Sequence, residues 1–198
     1  MFDSGISASA LIDDLKNEVD IAIPVPDSLY LSWLSSLEQM LYTEIIQEQH
    51  SVSVSASDGV ISLSEIPVDD EQDKIRFEDI YAFYADDTQY IKSTLTSGNI
   101  FPETYYKKEN NVAYNAPEPP QNIKIIYFIR PALKTAETAE NHVCVPPEFI
   151  ELVKAKLRGE AYKIANEDAI AAKWLNDYNV LLETFKVWIA GKAPNFGM

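Results

Sequence analysis

The spacing of apolar residues changes twice along this chain, and that change limits what it can fold into. Tyr30, Leu34, Leu37, Leu41 and Ile45 are spaced four, three, four and four residues apart, which is one face of an α-helix. At Val52 and Val54 the period drops to two, the valines alternating with Ser51, Ser53 and Ser55. Past Pro146 the helical period returns. Ile150, Val153, Leu157, Ala161 and Ile164 form one stripe, and Ile170, Trp174, Tyr178, Leu181, Phe185 and Trp188 form the next. Helices at both ends with strands between them place the chain in the α+β class.

Local signals divide these regions into elements. Ser9 is the expected N-cap of a short helix from Ala10 to Val19, and Ile23-Pro24-Val25-Pro26 then forces extended chain. Asp27 can cap a second helix running to about Glu48. Three hairpins are expected next. Val52 and Val54 would pair with Ile61 and Leu63 around Ser57-Asp58-Gly59. Asp79–Ala85 would pair with Thr88–Thr94 around Asp86-Asp87, and Thr104–Lys107 with Val112–Asn115. Ile123–Ile129 is the most strand-like run. Pro146-Pro147-Glu148 opens a helix, Asn166 would cap the last one, and Gly191 with Pro194 ends it. The expected architecture is a single domain, residues 1–198. Helices at about 9–48 and 147–190 would pack into an antiparallel helical bundle, and 50–130 would form a central antiparallel β-hairpin sheet.

Charge narrows the function classes. The chain of 198 residues holds 31 acidic and 16 basic side chains, net −15. Residues 1–150 account for −16 and residues 151–198 for +1. A non-specific binder of nucleic acid or anionic lipid needs basic patches to displace counterions, so both are disfavoured. The longest run of purely apolar residues, Ile80 to Ala85, is too short to cross a membrane. One cysteine, no Asn-x-Ser/Thr sequon and a start without basic or apolar signal regions give the expectation of a soluble intracellular protein.

Motifs of catalysis are weak. No two of the six glycines lie close enough for a dinucleotide turn, and Gly191-Lys192 lacks the rest of a P-loop. His142 and Cys144 would share a strand face, but two zinc ligands are too few, and only His50 could add a third of that kind. Asp69-Asp70-Glu71-Gln72-Asp73 has the composition of a calcium loop without its glycine or closing glutamate. It reads as solvated surface, as do Asp13-Asp14, Glu78-Asp79 and Asp86-Asp87. The expectation is no enzyme, no metal and no cofactor. Aromatic residues crowd the strand region, suiting cross-strand packing or an interface.

One family shares this layout. Val145-Pro146-Pro147-Glu148-Phe149-Ile150 leads into a helix carrying Ala155, Gly159, Ala161 and Ala165. The joint Asn166-Glu167-Asp168 and a long helix from Ala169 to Ile189 with Trp174 and Tyr178 follow. With Ile23-Pro24-Val25-Pro26-Asp27 before an amphipathic helix and hairpins, this order resembles the head–tail connector (adaptor) proteins of tailed bacteriophages. Tubular tail protein A of short-tailed phages is one branch of them. The resemblance covers most of the chain and rests on patterns rather than a residue signature.

The resemblance implies a structural virion protein of the phage neck and carries no catalytic set. Its members form a homo-oligomeric ring of about twelve copies that docks on the portal protein and connects to further neck or tail proteins below. DNA would pass through the lumen without specific binding. The protein would assemble in the host cytoplasm and reside in the virion at the head–tail interface. Residues 191–198 would be the portal-docking tail, with Lys192, Asn195, Phe196 and Met198 as contacts and Phe196 as anchor. The acidic loops Asp69, Asp70, Glu71, Asp73, Asp86 and Asp87 would face the lumen or the tail. Two other classes use the same acidity: a DNA-mimic inhibitor of a nucleic-acid-binding enzyme, and a small carboxylate-dependent hydrolase.

Overall fold

Ser7, not Ser9, starts the first helix: its side chain accepts the Ala10 N–H, and α1 runs over Ala8–Glu18. Ser9 instead donates to Glu140. α2 (Asp27–Met40) has Pro26 at its cap and Asp27 in its first turn, where the carboxylate suits the positive end of the dipole. It stops at Met40, and the chain widens into a π-helical turn over Leu41–Ile46. The structure, a computed structural model, describes residues 1–55, 59–70, 72–94 and 101–192. Two compact units emerge: Met1–Ile46 with Pro131–Met198, and Gln47–Arg130.

In the first unit, a 3-10 turn at Pro147–Phe149 leads into α3 (Ile150–Ile164), and α4 (Asp168–Lys192) folds back on it. Asn166 is not the cap of α4. It has φ 59° and closes α3: its N–H donates to the Lys163 carbonyl and that of Glu167 to the Tyr162 carbonyl, both at 3.0 Å. This is a Schellman closure with asparagine in the left-handed position. Between the helices Gly159 is a contact point, because a Cβ there would lie 2.7 Å from Cγ and Cδ2 of Leu175. At the start of α3, Phe149 meets Phe185 and Trp188 of α4 edge-on, and those two rings stack on each other.

The expected bundle of two helix pairs is not what forms. α3 and α4 pack closely, but α1 and α2 touch one another and α3 only lightly. The volume between them is taken by Pro131–Val145, a stretch without helix or strand whose Val143, Cys144 and Val145 are buried. It is tied to the N-terminus by Ser4 N–H to Val143 O, Val143 N–H to Ile6 O and Ala8 N–H to Asn141 O. Helical periodicity reports which face of a helix is buried, not what buries it.

The second unit is one mixed seven-stranded sheet, curled as half of a barrel. Its strands are β1 (Gln49–Ser55), β2 (Val60–Ser62), β3 (Ile80–Ala85), β4 (Thr88–Ser93), β5 (Thr104–Lys108), β6 (Asn111–Asn115) and β7 (Asn122–Phe128). The spatial order is β1-β7-β3-β4-β5-β6-β2. The β3–β4 and β5–β6 hairpins form as expected. The hairpin expected around Ser57-Asp58-Gly59 does not: β1 pairs with β7 and β2 with β6, at opposite ends of the sheet. Ser57 and Asp58 lie outside the described residues. The register explains the choice of partner, since Val52 and Val54 sit opposite Ile125 and Ile123, and Ile61 opposite Val112. An all-antiparallel sheet is also corrected, because β4 and β5 run parallel. The buried face holds Phe83, Tyr90, Tyr105 and Tyr114, with Phe83 and Tyr105 stacked at 5.1 Å. Tyr81 packs against Phe128 and remains 58% exposed.

Two outcomes follow from this packing. Gly159→Val should lower unfolding free energy by about 2 kcal/mol in urea titrations, because overpacking at the α3–α4 contact outweighs the gain in helix entropy. Gly191→Ala, with nothing within 4 Å of its added methyl, should change it little. Burial also pushes the Tyr105 hydroxyl from 10.0 up to about 12. The unfolded chain therefore loses this proton first, so the stabilisation is complete below pH 10 and lost as pH rises to about 12. Alkaline unfolding followed by tyrosinate absorbance should show this step, and Tyr105→Phe should flatten it.

Candidate functional site

The acidic loops are more ordered than solvated runs need to be. Asp69 and Asp70 are exposed, and the Asp69 side chain accepts from the buried Gln72 amide at 3.2 Å. Glu71 lies outside the described residues. Asp73 pairs with Arg76, and its N–H donates to the Arg130 carbonyl at 2.7 Å. Asp86, in the β3–β4 turn with φ 43°, accepts the N–H groups of Gln121 and Asn122. Its carboxylate therefore fixes the start of β7, whereas Asp87 beside it is exposed. Both line an open groove of about 460 Å³ with Tyr84 and Lys124. Of the other paired acids, Glu78 bonds Lys107, which holds its carboxyl below the usual range, and Asp79 pairs with Arg130. Asp73, Asp79 and Asp86 thus have structural partners, while Asp69, Asp70 and Asp87 present charge to solvent.

At the C-terminus, Lys192 ends α4 with its ammonium 3.6 Å over the Trp188 ring, a cation–π contact that holds it against its own helix. Asn195, Phe196 and Met198 lie outside the described residues. The outer face of α4 carries Val180 and Val187, one heptad apart and 60% and 73% exposed. The apolar stripe expected of α4 is only partly inward: Tyr178 and Phe185 are buried, Trp174, Leu181 and Trp188 are half-buried, and Ile170 is exposed.

His142 and Cys144 do not share a site. The His142 ring points outward to Asp3, with Nδ1 2.9 Å from the carboxylate, and Asp3 is held below the usual range first by the Gly5 N–H and then by His142. The Cys144 thiol points inward, where its neighbour is Lys134, with Nζ 3.7 Å from Sγ. Among the described residues no group of three or more His, Cys, Asp or Glu could hold a metal ion.

The buried cluster around Cys144 was missed by sequence reasoning. Glu38 is fully buried in the middle of α2, and Lys134 is 5% exposed. The Lys134 ammonium lies 3.9 Å from Glu38 Oε2 and donates to the His142 carbonyl at 2.7 Å. Glu38 Oε1 accepts the Cys144 N–H at 2.6 Å, and Ser35 Oγ accepts the Lys134 N–H at 2.7 Å. Side chains of α2 thus satisfy the backbone of a segment with no ladder of its own. The signal was present in the sequence: Glu38 stands four residues after Leu34 and three before Leu41, inside the apolar stripe.

Removing one partner of a buried pair leaves the other charged and desolvated. Lys134→Met should therefore cost about 3 kcal/mol or more in urea unfolding. Adding Glu38→Gln should recover part of that loss, and strict additivity of the two changes would count against a coupled pair.

No protein-family model matches this chain and no curated protein matches it, so a functional reading rests on these residues alone.

Proposed function

We propose that this protein is a structural head–tail adaptor of a tailed-phage neck. Copies would form a ring on the portal protein, hold further neck or tail proteins below it, and let DNA pass. The observation that carries the reading is the uneven charge along the chain, −16 over residues 1–150 and +1 over residues 151–198. Exposed acids Asp69, Asp70 and Asp87 stand on loops and a hairpin turn of the sheet unit, where they would repel phosphates rather than grip them. The α3–α4 hairpin lies within a nearly neutral quarter of the chain and leaves Val180 and Val187 uncovered, a surface suited to burial against another protein. In this reading residues 191–198 dock on the portal with Phe196 as the anchor. Lys192, at the end of α4, is held on Trp188.

Deleting residues 193–198, or changing Phe196 to aspartate, should leave the circular dichroism spectrum and unfolding midpoint unchanged. It should also give DNA-filled heads that lack tails, because a buried aromatic anchor can carry about 2 kcal/mol or more of binding. Full portal binding by the truncated protein would overturn the docking assignment. Recovery of the full-length protein only as a small complex with a nucleic-acid-binding enzyme, and never in purified particles, would favour the DNA-mimic reading instead.

A further inference from the structure

We propose that Lys134 and Cys144 form an oxidation-driven covalent site, in which peroxide converts the thiol to a sulfenic acid and the lysine amine captures it as an N–S crosslink. Three observations converge on this pair. The chain has one cysteine, so no second thiol within it can trap an oxidised sulfur. The Lys134 nitrogen lies 3.7 Å from Sγ and is itself buried, so a nucleophile is held where a sulfenic acid would form. The Glu38 carboxylate, 3.9 Å from that nitrogen, is placed to accept its proton.

The chemistry balances with one hydrogen peroxide. Sulfur is oxidised by two electrons as the O–O bond breaks, and S–H becomes S–OH with release of one water. Lys134 passes one proton to Glu38, and its amine attacks sulfur. The N–S bond forms and the S–O bond breaks. The departing hydroxide leaves as a second water with the second amine proton. Nitrogen keeps one hydrogen.

Access and consequence both follow from the fold. Ser9, Ile12, Leu31 and Lys134 line an open groove of about 540 Å³ that Cys144, 2% exposed, does not reach, so peroxide meets the sulfur through local opening of the Pro131–Val145 segment, which has no helix or strand. The crosslink would fasten both ends of the segment that Glu38 already holds by hydrogen bonding.

The test is mass spectrometry of the folded, full-length protein treated with hydrogen peroxide and then with a thiol alkylating reagent. The expected result is a loss of about 2 Da, no alkylation, and a peptide map joining Lys134 to Cys144, all reversed by dithiothreitol. Lys134→Arg keeps the cation without a nucleophilic amine, and its Cys144 should instead gain about 32 or 48 Da. Gains of that size at Cys144 in the wild-type protein, with Lys134 unmodified, would overturn the proposal. So would a thiol that stays alkylatable after peroxide treatment that oxidises the urea-unfolded chain. The wild-type measurement decides the matter even where a variant fails to fold.

Discussion

A long irregular segment can lie inside a protein only if its backbone polar groups find partners, and in the helical unit that requirement falls on Glu38, Ser35 and Lys134. Pro131–Val145 has no ladder to supply those bonds. Glu38 accepts the Cys144 N–H, Ser35 accepts that of Lys134, and the Lys134 ammonium reaches the His142 carbonyl. Burying an ammonium and a carboxylate costs several kcal/mol each before their attraction is counted, so packing alone does not explain the pair. Its value is positional. It holds Val143, Cys144 and Val145 in the core, and the N-terminal residues from Ser4 to Ser9 hydrogen-bond onto the same segment. α1 therefore depends on an anchor that lies in α2.

Much of the element list was legible in the sequence, because period and turn chemistry are local. Both helical ends, the β3–β4 and β5–β6 hairpins and the β7 run follow from residues close to one another. What failed was pairing. Ser51 to Ser55 alternates cleanly with valine, yet alternation says only that one face is buried, and β7 offered Ile123 and Ile125 as better neighbours than β2 could. The parallel β4–β5 contact has no sequence signature of its own. At Asn166 the error was between two roles of one residue type, since asparagine suits both an N-cap and a left-handed helix end. Of the candidate site, exposed acids could be read from charge runs, but the Lys134–Cys144 contact could not, because an irregular segment has no period to place them.

The two units carry burial in different ways. In the sheet, aromatic side chains from neighbouring strands fill the inner face, and Tyr105 and Phe83 stack where a curled sheet brings them together. In the α3–α4 hairpin the closest approach is made by removing a side chain, at Gly159 against Leu175. Arg158 then reaches back to Glu18 of α1 while its guanidinium covers Trp174 at 4.6 Å. That hydrogen bond holds the Glu18 carboxyl below its ordinary range. A cation on the least acidic part of the chain thereby holds an acidic helix, a local form of the charge division seen along the sequence.

That division also limits how such a protein can associate. Copies at net −15 repel one another, and repulsion grows with each subunit added to a closed assembly. Contacts between copies, or with a partner, must therefore use surface where acids are few. The outer face of α4 carries Val180 and Val187, and the Glu183 that stands between them is paired with Lys186. In the proposed reading, exposed acids on the sheet unit would keep a phosphate backbone hydrated and unbound. An adaptor needs both properties at once, adhesion to protein and indifference to DNA. A DNA mimic needs its acids arranged at phosphate spacing along one face, whereas Asp73, Asp79 and Asp86 here are committed to Arg76, Arg130 and the start of β7. In the proposed reading the exposed carboxylates, Asp69, Asp70 and Asp87 among them, repel a phosphate backbone rather than imitate it.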